Sequence, residues 1–262
     1  VNFIMKYLLK IIFLTFLSFY SFEIQSAKVA LCVMATGKYL SYAHTMIESA
    51  TKYFCVNHEV TYLVFTDDNS VFDGTKKSES NIKYIYQKRL GWPYDTMNRF
   101  HVYYAQKDFL ETMDYVFATD ADMLFVDFVG KDFSGNGEEI FNERVATQHP
   151  GYVGQRGTYE TNNISTACIR SNEGKYYFAG GFYGGRSPEF LKLVKTCADN
   201  VDKDLKKNFI AIWHDESHLN RYFIDNKPTK ILSPSYCYPE RWNLPYHKRL
   251  LALDKNHADL RS

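Results

Sequence analysis

From Lys28 to Asp120 short apolar runs alternate with stretches whose apolar residues recur every three or four positions. Residues 28–34 and 60–66 have the length and the near-continuous apolar character of strands buried on both faces, and residues 82–87 read as a third strand. Ala43, Met46, Ile47, Ala50, Tyr53 and Phe54 share one helical face, with Ser41 placed as an N-cap. A helix is expected over residues 98–113, then a fourth strand over residues 115–120. Beyond that the pattern loosens. Residues 131–137 and 151–174 are rich in Gly, Asn, Ser and Thr and read as loops, the second long enough for a mobile lid. A helix over residues 188–201 carries Phe190, Leu191, Val194, Cys197 and Val201 on one face, and another starts near Asp215. This alternation predicts α/β layers around a mainly parallel sheet, whose ligands bind beyond the carboxyl ends of the strands.

One such strand ends in chemistry. Tyr115-Val-Phe-Ala-Thr-Asp120 is followed by Ala121 and Asp122. Alternation along a strand turns residues i and i+2 to the same face, so the two carboxylates project together. At ~4 Å they repel by about 1 kcal/mol in water, and by about 4 kcal/mol at an effective dielectric of 20. A hard divalent cation with oxygen ligands relieves that repulsion and keeps positions open for a phosphate. The alternative is an ordinary aspartate turn.

Composition narrows the field. A hydrophobic share of 45% supplies a core, and a net charge of +1 argues against a nucleic-acid partner, which calls for a basic surplus. The 21 Tyr and 20 Phe suit flat sugar faces as well as cores. Five cysteines without a C-x-x-C pair give no disulfide framework. Residues 1–27 combine Met5-Lys6, an apolar run at 11–22 and small residues at 26–27, as in a signal peptide or short signal anchor. That segment predicts membrane association or export, with the folded part at residues 28–262.

Three more segments carry candidate chemistry. Ala179-Gly180-Gly181-Phe-Tyr-Gly-Gly185 lets backbone approach a ligand closely, or marks a bulge. Trp213-His-Asp-Glu-Ser-His-Leu-Asn220 admits three readings. His214 and His218 at i, i+4 suit zinc and a metallopeptidase, Glu216 suits a carboxylate facing a sugar's reacting carbon, and acids at a helix start suit its dipole. Near the C-terminus Lys255 and Arg261 are placed to neutralise a diphosphate if the tail folds over it.

Tyr62-Leu-Val-Phe-Thr-Asp67, Asp120-Ala-Asp122-Met123, His149-Pro-Gly151, Tyr176-Tyr177, Gly180-Gly-Phe-Tyr-Gly-Gly185, the octet at 213–220, Lys227-Pro-Thr-Lys-Ile-Leu-Ser-Pro234 and Lys255-Asn-His257 occur in this order. Together they resemble glycosyltransferase family 6, which contains the ABO histo-blood-group transferases and the α-1,3-galactosyltransferases. The resemblance implies a single GT-A domain, Rossmann-like, with a mixed, mainly parallel central sheet. It implies transfer of GalNAc or Gal, with retention, from a UDP-sugar to the 3-hydroxyl of a galactose-containing glycan acceptor. Met34, Ala35, Thr36 and Tyr39 would hold the uridine. Asp120 and Asp122 would bind Mn²⁺ (Mg²⁺ as the alternative) and the diphosphate, with Ala121 and Gly180 at the donor, Arg99 near the donor sugar and Lys255 and Arg261 over the phosphates. Glu216 would be the nucleophile or the anion behind the oxocarbenium, and His149, Thr158 and Trp213 would hold the acceptor. Small residues at Ala179 and Gly181 incline the donor toward UDP-GalNAc. Many bacterial relatives carry Asn-x-Asn at the metal motif; both aspartates here imply metal dependence. Where mammalian members have Trp-Asp in the acceptor wall this chain has Tyr238-Pro239-Glu240, with Glu240 the substitute acid. A non-catalytic sugar-binding relative is the remaining alternative.

Overall fold

The computed structural model describes residues 26–72, 80–131, 134–135, 138–256 and 260. The expected leader or anchor falls almost wholly outside these residues, as does Arg261. Among the described residues no helix is long and apolar enough to cross a membrane.

The first half follows the alternating pattern. β1 (Lys28–Met34) leads to α1 (Tyr39–Tyr53), β2 (Glu59–Thr66), β3 (Ile82–Tyr86), α2 (Tyr94–Tyr104), α3 (Lys107–Leu110), β4 (Tyr115–Asp120) and β5 (Met123–Phe125). The second half adds β6 (Arg144–Gln148), β7 (Phe178–Arg186), α4 (Ser187–Leu205), α5 (His214–Asp225), β8 (Lys230–Leu232), β9 (Tyr238–Pro239) and β10 (Leu250–Ala252). Seven strands pair in the order β3-β2-β1-β4-β7-β6-β8, and β5, β10 and β9 form a small second sheet. The β3–β2, β2–β1, β1–β4 and β6–β8 pairs are parallel, while β7 runs antiparallel to both its neighbours.

Apolar packing explains the layers. The inner residues of β1, Val29–Val33, are fully buried because helices cover both faces of the sheet. α1 buries Leu40, Ala43, Met46, Ile47 and Ala50 on one side, and α4 buries Phe190, Leu191, Val194, Cys197 and Val201 among residues of the other. Each such side chain contributes roughly 1.5–3 kcal/mol by leaving water.

Several boundaries differ from the pattern's. α1 starts at Tyr39, so Ser41 lies inside it and its hydroxyl donates to the Lys38 carbonyl at 2.9 Å instead of capping. The helix expected at 98–113 starts at Tyr94 and breaks in two. Its entry is shaped by Asp95, whose carboxylate accepts the Leu90 and Gly91 amides at 2.7 and 3.1 Å. The glycine run is strand β7, wedged between β4 and β6 with a register shift opposite Ala146 and Thr147. All five cysteines are free thiols.

Candidate active site

β1, β2 and β4 end at one edge of the sheet, and antiparallel β7 begins there, with Phe182 opposite Thr119. At this edge lies a cleft of about 790 Å³ including its open mouth, lined by Met34, Thr36, Tyr39, Arg89, Trp92, Asp95, Thr96, Arg99, Asp120, Ala121, Asp122, Lys255 and Leu260.

The floor is set by the β1–α1 turn. Gly37 adopts φ +57°, a left-handed conformation that glycine enters without steric cost, and its amide donates to Asp67 Oδ1 at 2.6 Å. A Cβ there would stand 3.2 Å from the Arg89 guanidinium carbon, so glycine also admits Arg89 to the cleft. Met34, Thr36 and Tyr39 line this part, whereas Ala35 is fully buried beneath it with its amide donating to Phe65 O.

Carboxylates crowd the opposite wall. Asp120 accepts from Arg99 Nη1 at 2.8 Å, and Arg99 Nε lies 3.2 Å from Asp215 Oδ2. Arg99 is only 6% exposed, so one buried guanidinium joins the end of β4 to the start of α5. Asp122 is ion-paired with Lys255, whose ammonium stands 5.2 Å over the Tyr39 ring. Glu216 Oε2 accepts the Gly180 amide at 2.8 Å. A Cβ on Gly180 would come within 3.6 Å of that oxygen and 3.7 Å of Asp215 Oδ2, so both acids lean over the start of β7.

Burial pushes the Asp215 carboxyl up to about 6, with Arg99 pulling it back. Burial also pushes Glu216 up to about 7; the Gly180 amide and the Tyr177 phenol hold it down while Asp215 and Asp120 push it further up. The α5 start that carries both acids has His214 at φ +50°, a backbone conformation that β-carbon residues rarely adopt and that tends to occur where function holds it.

A second cluster flanks Glu216. Trp213 Nε1 donates to Thr158 Oγ1 at 2.8 Å, and Thr158 Oγ1 is 3.0 Å from Tyr152 Oη. The Tyr152 ring lies 4.9 Å from both His149 and Tyr177, which itself borders Glu216. Burial lowers the His149 imidazole to about 4, leaving it neutral at pH 7. His149, Thr158 and Trp213 thus come together beside Glu216.

Other sequence candidates fare differently. Glu240 is exposed, and its Oε2 accepts the Asp254 amide at 2.9 Å, tying the end of β9 to the segment after β10 and not to the His149–Trp213 cluster. His214 packs its ring 4.9 Å from Trp92, while His218 is buried with Nε2 3.8 Å from Asp204. The left-handed turn at His214 breaks the regular i, i+4 geometry a helical zinc pair needs, and among the described residues no group of three metal-binding side chains forms. Ala179 and Gly181 flank Gly180 on β7. A Cβ on Gly181 would meet Cys237 Sγ at 3.0 Å and Met123 Sδ at 3.6 Å, so these two side chains bound the space beside it. Arg89, Trp92 and Trp242 lie outside the motifs. Arg89 just precedes and Trp92 sits in the Gly91-Trp92-Pro93 turn between a parallel strand and its helix, a position that marks a ligand crevice. Trp242, 48% exposed, reaches 3.8 Å from a Cβ placed on Gly151.

For a divalent cation the donor set fits. Asp120 and Asp122 are hard oxygen ligands at an open cleft, and Mg²⁺-like ions need only one or two carboxylates when substrate phosphates complete the shell.

The chain is 34% identical over 252 residues to histo-blood group ABO system transferase 1 of Rattus norvegicus, covering 92% of this chain and 70% of the relative. It is 33% identical to globoside alpha-1,3-N-acetylgalactosaminyltransferase 1 of Canis lupus familiaris, over 89% of this chain and 68% of the relative. It is 29% identical to the O-antigen biosynthesis glycosyltransferase WbnI of Escherichia coli, over 85% of this chain and 92% of the relative. The profile of glycosyltransferase family 6 matches residues 13–262, and with the α/β layering and its mainly parallel seven-stranded sheet, the chain belongs to that family.

Proposed function

We propose that this cleft moves GalNAc, or Gal, from a UDP-sugar to the 3-hydroxyl of a galactoside acceptor with retention of anomeric configuration. The observation that carries the reading is Glu216. It is a carboxylate joined through Asp215 and Arg99 to Asp120, with a cluster of aromatic and hydroxyl side chains on its other side. A nucleotide diphosphate lies over Asp120 and Asp122, and its sugar extends toward Gly180. Mn²⁺ held by Asp120 and Asp122 would supply charge neutralisation for the departing UDP.

The chain's own residues do the rest. Arg99 fixes Asp120 and so the floor under the diphosphate. Lys255, beside Asp122, meets the phosphates. As the bond from the anomeric carbon to the UDP oxygen breaks, its electron pair leaves with UDP, and Glu216 stabilises or traps the oxocarbenium-like carbon. The acceptor oxygen then attacks from the face the UDP left, passing its proton to the departing UDP phosphate and displacing Glu216 where the carboxylate has trapped the carbon, which gives retention. His149, Thr158 and Trp213 orient that acceptor, and neutral His149, whose Nδ1 accepts the Gly151 amide at 3.1 Å, keeps its Nε2–H as a donor. Ala179 and Gly181 favour an N-acetylated donor, with Cys237 and Met123 bounding the room.

UDP release, measured with UDP-GalNAc and with UDP-Gal against fucosylated and unfucosylated galactosides, tests the reading. Chelation by EDTA should abolish turnover, and added Mn²⁺ should restore it. Undiminished activity in the chelator would sink the metal claim.

A further inference from the structure

Two buried carboxylates lie outside the cleft. Glu160 is 6% exposed, in the stretch after Thr158, and Asp204 is 1% exposed, in the last turn of α4. Glu160 belongs to the loop expected to be a lid and accepts from it and from the turn before α5, while Asp204 accepts from that loop. Glu160 Oε1 accepts the Asn162 amide at 2.7 Å, Oε2 accepts the Ile212 amide at 2.9 Å, and the Glu160 carbonyl accepts the Ile169 amide at 2.7 Å. Asp204 Oδ1 accepts the Thr166 amide at 2.7 Å, and its Oδ2 accepts the Ser165 hydroxyl at 2.5 Å. Thr166 Oγ1 adds a bond to the Asn200 carbonyl at 3.1 Å. His218, 1% exposed, faces Asp204 from α5.

The position of these bonds is what matters. Glu160 stands two residues after Thr158, and Ile212 immediately precedes Trp213. One carboxylate therefore grips both the strand of loop that carries Thr158 and the turn that carries Trp213. The two side chains then meet at 2.8 Å. Asp204 and Ser165 hold the far end of the same loop against α4. Burying an anion is costly unless donors surround it, and a backbone amide at each oxygen meets that need with fixed direction. A glutamine could accept at one oxygen only and would set its amino group against the second N–H. The loop is thus fastened to the helix that carries Glu216, and is no free lid.

We infer that Glu160, backed by Asp204 and Ser165, is a positioning residue for the acceptor, setting Thr158 against Trp213 without touching substrate. The inference rests on the reading that Thr158 and Trp213 hold the acceptor. Small misplacements in such a constellation raise the barrier steeply, and here they would fall on one substrate only.

The test compares the full chain with Glu160→Gln and Asp204→Asn. Acceptor and donor concentrations are varied separately, and UDP release to water is recorded without acceptor. Glu160→Gln should raise the acceptor KM about tenfold. Donor KM and hydrolysis to water should stay within about twofold, and Asp204→Asn should shift acceptor KM in the same sense by less. A merely structural residue would degrade donor and acceptor parameters alike; that result, or an unchanged acceptor KM, overturns the inference. Hydrogen exchange gives an independent readout. In Glu160→Gln the segments around Thr166 and Ile212 should exchange faster than in the parent, while β1 and β4 do not. Equal protection in parent and variant overturns the clamp whatever the activity. A parent chain without any UDP-sugar turnover refutes the assigned reaction instead, and the exchange arm still judges the clamp.

Discussion

Exchanging Glu216 for Gln separates what the carboxylate does for catalysis from what it does to the fold. Burial raises its pKa from 4.5 to about 7, with Asp215 and Asp120 adding to the push. One pKa unit corresponds to about 1.4 kcal/mol. A carboxyl whose folded value exceeds its unfolded one favours the folded state while protonated, and that stability is lost as pH rises through the folded value. The raised pKa therefore costs the native protein about 1 kcal/mol at pH 5, where Glu216 stays protonated, and about 3 kcal/mol at pH 8, where it is ionised. Glutamine keeps a carbonyl oxygen for the Gly180 amide and never ionises. Thermal melts without metal or nucleotide should place Glu216→Gln above the parent at pH 8 by roughly 6–12 °C for a chain of this size. At pH 5 the gap should shrink to about a third of that. Transfer should fall by about a hundredfold or more. A gap of equal size at both pH values, or a less stable variant at pH 8, would refute the electrostatic argument. A near-normal turnover would remove the catalytic role.

Three further outcomes are expected. Arg99→Met leaves Asp120 and Asp215 without their shared cation, and urea denaturation at pH 8 should show a loss of about 3 kcal/mol; a loss below 1 kcal/mol contradicts the bridge. Trp213→Phe removes only the indole N–H to Thr158, so acceptor KM should rise roughly fivefold, corresponding to about 1 kcal/mol, while donor KM holds. Gly181→Ala brings a methyl to 3.0 Å from Cys237 Sγ. That variant should turn over an N-acetylated donor worse than a plain one, and adding Cys237→Ala should restore the ratio; no change in the ratio would show that neither residue bounds the donor sugar.

How much of this was legible beforehand follows from burial. β1, β2 and β4 announced themselves because helices cover both their faces, which demands unbroken apolar runs. β7 hid because its glycines answer to neighbours remote in sequence: a Cβ on Gly184 would lie 2.4 Å from the Val116 carbonyl. β6 (Arg144–Gln148) and the short β8, β9 and β10 carry too few residues to set a period. Asp120, Asp122 and Glu216 were legible through the motifs that resemble a family, since by position alone an aspartate turn and a helix-dipole acid fit as well. Glu160 and Asp204 were not. Their burial, and the amides that compensate it, exist only after the loop, α4 and α5 have come together.

The charges in the cleft argue for a cation in their own right. Asp95, Asp120, Asp122, Asp215 and Glu216 outnumber Arg89, Arg99 and Lys255 among the described residues at or beside the cleft. A diphosphate entering such a site would meet net like charge. Lys255 is the natural partner for it, but Lys255 is ion-paired with Asp122. Were the ammonium to turn to the phosphates, Asp122, 6% exposed, would be left as a buried anion with no other cation paired to it among the described residues, at a cost of several kcal/mol. A divalent ion held by Asp122 and Asp120 would supply the missing positive charge and free Lys255 for the phosphates. On the proposed reading, metal binding and the turn of Lys255 to the nucleotide would be one event, which predicts that UDP without a divalent cation leaves the Lys255 segment as accessible to trypsin as in the free protein, while UDP with Mn²⁺ protects it. Protection by UDP alone would break the link.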